Sequence, residues 1–204
     1  MPSNALRNFE LRLDEVEQLL TAHTALLRVH RATAAAQHIG GLANVANVVN
    51  HLIAPPGPGR PPQIQALNKA AIALLSGHLQ GFITDLYDET AANLLGRHVS
   101  SIQILTEAAP RRGNPNGDNI KKLFASLGFS DVLADISWQR CSNQTMRTRL
   151  KDFNELRNKI VHGTSINITK PQVTGYLSSW HALAQRLDSK LRTKINTITG
   201  TPPW

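Results

Sequence analysis

The chain has 204 residues, 41% of them hydrophobic and 18% charged, which supplies enough apolar material for a packed core and excludes wholesale disorder. Its 22 Lys and Arg against 14 Asp and Glu give a formal net charge of +8, a balance that favours a polyanionic partner. The lone cysteine, Cys141, excludes an intramolecular disulfide and a cysteine-based zinc site, and no apolar run approaches the ~18 residues that would span a bilayer.

The N-terminal stretch MPSNALRNFELRLDEVE is too charged for a signal peptide, so a cytoplasmic protein without membrane contact is expected. Ser3 is placed to cap a helix that begins near Asn4. Leu6, Phe9, Leu13, Val16 and Leu20 recur every three or four residues on one stripe, and the helix continues through Leu26 and Leu27 towards Ala36. His23 and His30 are seven apart and share a face, read here as polar surface. Gly40 and Gly41 interrupt the pattern before a softer helical piece, Leu42 to Ile53. Ala54 to Pro62, with five prolines and two glycines, reads as a stiff linker. Residues 1–53 are therefore expected to form an N-terminal helical extension, 54–62 a linker, 63–197 the main helical domain and 198–204 a fraying tail.

Gln63 to Leu95 reads as one long helix with Ile64, Leu67, Ala71, Leu74, Leu75, His78, Phe82 and Leu86 on its buried face. Gly77 and Gly81 suggest a close helix approach. Gly96 ends this helix and HVSSIQILTEAA follows. Ala109 to Gly117 is expected as an exposed loop whose Arg111 and Arg112 are candidate contacts to a nucleic-acid backbone. Asp118 is read as the cap of the helix NIKKLFASLGF. Ser142 caps the next helix, and Thr169, with Pro171 in the first turn, begins the last one. Val173, Tyr176, Leu177, Trp180, Leu183, Ala184, Leu187 and Leu191 form its apolar stripe, and Arg186, Lys190, Arg192 and Lys194 make its end basic.

The stretch the chain is organised around is Lys151–Gly163, KDFNELRNKIVHG. At ~100° per residue, Met146, Leu150, Phe153, Leu156, Ile160 and Val161 share an apolar arc, while Lys151, Glu155, Asn158 and His162 share a polar one. Asn158 and His162 are i, i+4 neighbours, and Gly163 stops the helix just past His162. Arg157 falls inside the apolar arc between Leu150 and Phe153. A guanidinium cannot shed its proton, so this position calls for an anionic partner, an interface or a cleft. Read without any relative in view, the same residues describe a helix end with a snorkelling Arg and a His on the C-terminal dipole, and Glu155 as a solvated surface carboxylate.

LRNKIVHG resembles the signature of HEPN domains, in which Arg and His are separated by four to six residues near the end of a helix. Ala66 to Ala91, ALNKAAIALLSGHLQGFITDLYDETA, resembles the first long helix of the RiboL-PSP branch of that superfamily. The resemblance spans roughly Gln63 to Lys194 and leaves the first sixty residues unexplained. It implies an all-α HEPN-like bundle and, in most relatives, a dimer with a composite cleft. It also implies Arg157 and His162 as catalytic residues and Asn158 in support. The activity implied is a metal-independent endoribonuclease, often a toxin of a toxin–antitoxin or antiphage system, with RNA as substrate and an antitoxin protein as a further partner. The alternative is a non-catalytic RNA- or nucleotide-binding or helical interaction module.

The residue types suit that chemistry. Transesterification needs a group to take the 2′-hydroxyl proton, charge stabilisation on the phosphorane, and a proton for the 5′-oxygen. Histidine suits the proton transfers because its pKa lies near neutrality, and the planar fork of Arg157 suits the phosphate. No metal or cofactor is expected. Arg157 and His162, five apart, point ~140° away from each other on an ideal helix, so one motif alone does not close a compact site. A two-fold dimer bringing two motifs together resolves this.

Overall fold

The computed structural model describes residues 1–39, 42–53, 62–95 and 114–204. Outside these fall Gly40 and Gly41, the linker from 54 to 61, Gly96, the segment 98–109, and both Arg111 and Arg112. Six helices appear among the described residues: α1 Asn4–Ala36, α2 Ala43–Ile53, α3 Pro62–Leu94, α4 Gly117–Ala125, α5 Asn143–Val161 and α6 Lys170–Thr199. Helix accounts for 76% of them, and the nearest thing to a sheet is an isolated bridge between Trp138 and Cys141, so the all-α class holds.

α3 is the axis, packed by α1, α6, α5 and α4. Neighbours on several sides widen its buried surface beyond one stripe. Asn68, Ile72, Ser76, Leu79, Ile83, Tyr87 and Thr90 are buried as well as Ile64, Ala71, Leu75, Phe82 and Leu86. Leu67 and Leu74, expected on the buried face, are only partly buried, whereas the His78 side chain is 12% exposed and faces inward as expected. His78 Nε2 lies 3.1 Å from Glu15 Oε2 of α1, and burial lowers its pKa against the pull of that carboxylate. Gly81 is the close-approach glycine, because a Cβ there would meet Arg12 Nη1 at 2.9 Å; Gly77 has open space instead.

α1 begins as expected. The Ser3 hydroxyl accepts from Leu6 N, and Leu6, Phe9, Leu13, Val16 and Leu20 are buried. Its first-turn N–H groups find carboxylates on other helices. Ser3 N donates to Asp188 Oδ1 at 3.2 Å, and Asn4 N and Ala5 N donate to Glu89 at 3.1 and 2.6 Å, anions that also complement the helix dipole. Burial raises the Glu89 pKa, and the two N–H donors act against that rise. His23 and His30 are not polar surface. They continue the heptad-like stripe inward and are buried at 4% and 7% exposure, because helical position outweighs ring polarity once the ring body can pack. Phe9 packs on Phe82 of α3 at 5.1 Å, and the α1 residues belong to one core with α3, α5 and α6.

At the other end, α6 runs to Thr199 and stops at Gly200 with a φ of 74°. The tail does not fray as expected, because Trp204 folds back onto the core. No helix among the described residues is long and apolar enough to cross a membrane.

Candidate active site

α5 starts where Ser142 accepts from Thr145 N at 3.2 Å. Met146, Leu150 and Phe153 are fully buried, and the Phe153 ring meets Tyr176 at 4.9 Å and Trp180 at 5.2 Å on α6. The apolar arc weakens towards the helix end. Leu156 and Ile160 only flank the core, and Val161 is 56% exposed, contrary to its expected place in the arc. Full burial ends at Asn154, about two turns before the helix does, which leaves Arg157 half-buried at the edge of the core.

His162 is the C-cap, its N–H donating to Asn158 O at 2.9 Å. Gly163 takes φ 72°, a left-handed conformation that glycine adopts without Cβ strain, and Thr164 N returns to Lys159 O at 2.9 Å. The extended segment 164–169 is then tied down. Ile168 N donates to Gln65 Oε1 at 3.0 Å, and Ile168 O accepts from Asn68 Nδ2 at 2.7 Å. Asn68 Oδ1 lies 2.7 Å from His23 Nδ1, so His23 carries its proton on Nδ1, the only way that pair can bond. Lys170 Nζ reaches Leu20 O and Thr24 Oγ1 of α1. The backbone that follows His162 is thus fixed by α1 and α3.

The structure joins Arg157 to Asn158. Arg157 Nη1 donates to Asn158 Oδ1 at 3.2 Å, and no described carboxylate pairs with the guanidinium. A second donor, Asn114 Nδ2, reaches the same oxygen at 3.3 Å. With both lone pairs of Oδ1 engaged, the amide N–H groups of Asn158 are its remaining donors. His162 is exposed, and among the described residues its side chain has no hydrogen-bond partner. Arg157 and His162 do not meet within one chain. Glu155 is exposed and pairs with Lys151 at 3.9 Å rather than with His162.

Sequence reasoning missed the asparagines around this site. Asn154 is buried, and its Nδ2 donates to Leu150 O at 2.7 Å and Pro115 O at 3.3 Å. The described end of the loop expected to be exposed, Asn114 to Gly117, packs instead on α5, with Pro115 buried. Asn116, not Asp118, caps α4: its side chain accepts from Asn119 N at 2.8 Å, and Asp118 sits in the first turn. The available signal was the run Asn-Pro-Asn-Gly, strong turn chemistry that points to a cap two residues earlier.

Among the described residues, no three His, Cys, Asp or Glu side chains gather as a metal site. The model of the RiboL-PSP-HEPN family matches residues 42–193. Neither the curated proteins nor the solved structures yield a match to the chain.

Proposed function

Since the chain belongs to the RiboL-PSP-HEPN family, we propose that Arg157, Asn158 and His162 form the site of an endoribonuclease that cleaves RNA through the substrate's own 2′-hydroxyl. The observation that carries the reading is the half-buried guanidinium of Arg157, free of any described carboxylate, five residues before an exposed imidazole. A cation kept unpaired at the edge of a core is costly unless an anion arrives to use it.

In this scheme the His162 imidazole accepts the 2′-hydroxyl proton, the 2′-oxygen bonds to phosphorus, the P–O5′ bond breaks, and the departing 5′-oxygen takes a proton. Arg157 donates to the charge that builds on the phosphorane oxygens, where donors are worth most. Asn158 adds an amide donor. Because Arg157 and His162 diverge on their helix, the site is completed by a second copy of the chain, whose own His162 supplies the leaving-group proton. A toxin role in a toxin–antitoxin or antiphage system, acting in the cytoplasm and held in check by an antitoxin protein, fits a ribonuclease of this kind. Arg111 and Arg112 are its proposed contacts to the RNA backbone.

The test is cleavage of a defined RNA by purified protein. The expected products carry 2′,3′-cyclic phosphate and 5′-hydroxyl ends, a 2′-deoxy residue at the cut blocks the reaction, and excess chelator leaves the rate unchanged. Equal cutting of DNA, or products with a 3′-hydroxyl, would overturn the mechanism; tight RNA binding without any product would favour the non-catalytic module.

Binding should also respond steeply to salt. Each phosphate neutralised on single-stranded RNA contributes a slope of about −0.7 in log affinity against log salt. Titrating a 2′-deoxy-blocked RNA across a salt series measures that slope, and a flat dependence would detach the net charge of +8 from RNA binding.

A further inference from the structure

Resting on the ribonuclease reading, we propose that Asn114 is a positioning residue: the Asn114–Pro115–Asn116 turn clamps the Asn158 side chain so that its amide donates, rather than accepts, towards the RNA phosphate. The turn is built to be rigid. Asn116 N and Asn119 Nδ2 both donate to Asn114 O, at 2.7 and 2.9 Å, while Asn116 caps α4. Pro115 is buried with its φ fixed by the ring, and its carbonyl accepts from Asn154 on α5. These contacts tie the turn to α4 on one side and to α5 on the other. The free arm of the clamp is Asn114 Nδ2, at 3.3 Å from Asn158 Oδ1.

The consequence lies in which way the Asn158 amide faces. The terminal torsion of asparagine is broad and roughly two-fold, so an unrestrained amide presents either its oxygen or its nitrogen. A carbonyl oxygen facing a phosphate repels it, and an N–H attracts it. Arg157 Nη1 alone holds the oxygen inward by one bond; Asn114 makes it two, and two donors fill the acceptor. The interaction gains as charge builds in the transition state, so its loss falls on kcat more than on KM.

The discriminating variant is Asn114→Asp. It keeps the shape of the side chain and reverses its hydrogen-bonding sense, because a carboxylate cannot donate to Asn158 Oδ1. A side chain that merely fills space tolerates this exchange. The expected result is a fall in kcat of about tenfold or more, the scale of one well-placed hydrogen bond, with KM little changed and the thermal midpoint held. Asn114→Ala should lose about as much, and adding it to Asn158→Ala should cost nothing further, because the clamp acts only through Asn158. Parental kcat in Asn114→Asp, or a further loss on top of Asn158→Ala, would overturn the clamp. The side-chain amide signals of Asn158 in nuclear magnetic resonance give a readout independent of turnover. They should shift in Asn114→Asp, and unchanged signals would overturn the proposal. A parent protein that binds RNA without cutting it would defeat the ribonuclease reading while leaving this amide test of the clamp intact.

Discussion

His162→Ala is expected to abolish RNA cleavage while leaving the folded protein intact. The imidazole is exposed and has no described partner, and the helix end is closed by backbone bonds from His162 N, Gly163 N and Thr164 N that an alanine keeps. No described side-chain contact is lost with the ring, so the fold has little at stake. The catalytic loss is far larger, since one positioned acid–base group contributes roughly 10²–10⁴-fold and the dimeric scheme uses the same residue for both proton transfers. Arg157→Ala should be equally inactive but less innocent structurally, because its side chain lies half-buried at the core edge. Arg157→Lys should not restore turnover, since an ammonium cannot reproduce a two-pronged contact to phosphate. Single-turnover cleavage beside thermal melts separates the two effects. A His162→Ala protein as active as its parent would remove the imidazole from the mechanism.

Cutting the chain at the start of the matched region should be as damaging to the fold as His162→Ala is to the chemistry. The family match begins at residue 42, yet α1 contributes Phe9, Leu13, Val16 and Leu20 to the same core as α3 and α6. Removing residues 1–41 would take Phe9 from the Phe82 ring of α3 and strip the partners of His78, Asp85 and Glu89. The truncated protein should be insoluble or unfold without a cooperative transition. Phe9→Ala gives the graded form, an expected loss of about 3–5 kcal/mol from a domain whose whole stability is typically 5–15. Denaturant titration at constant slope measures it, and a residue 42–204 fragment with the parental midpoint would show that α1 only decorates the bundle.

How much of this was legible depended on how local each signal is. Ser3, Ser142 and Thr169 cap within three residues of themselves, and Gly163 terminates the turn it belongs to, so the sequence announces them. The periodic stripe of α6 reads correctly for the same reason, apart from Tyr176, which lies at the rim. The asparagine clamp was hidden because its bonds join residues 39 and 44 apart, a distance at which composition says nothing about pairing. The buried circumference of α3 was hidden because periodicity describes one face, whereas a helix enclosed on several sides has no single face. Val161 shows the converse. It has the right spacing for the arc, but the neighbours that would cover it end earlier. At the site, the bond from Arg157 to Asn158 went unannounced by the motif, whose Asn158 was expected to serve His162 or the phosphate, and Arg157 and His162 do not meet within one chain.

Ser3 N reaches Asp188 across 185 residues of sequence, and Lys170 reaches back to Leu20 and Thr24. Contacts of that span set the order in which a nascent chain can become itself. At ~5–20 residues per second, α1 waits many seconds on the ribosome before the helix that closes over it has been made. The motif helix is complete before Lys170 and the rest of α6 exist, so the segment after His162 acquires its Lys170 anchor only after α5 has been made. Loop closure over such distances is also slow relative to local helix formation. The main partner of α1, α3, is complete by Leu94, so the two can pack early, while the bonds from α1 to Asp188 and Lys170 wait for α6.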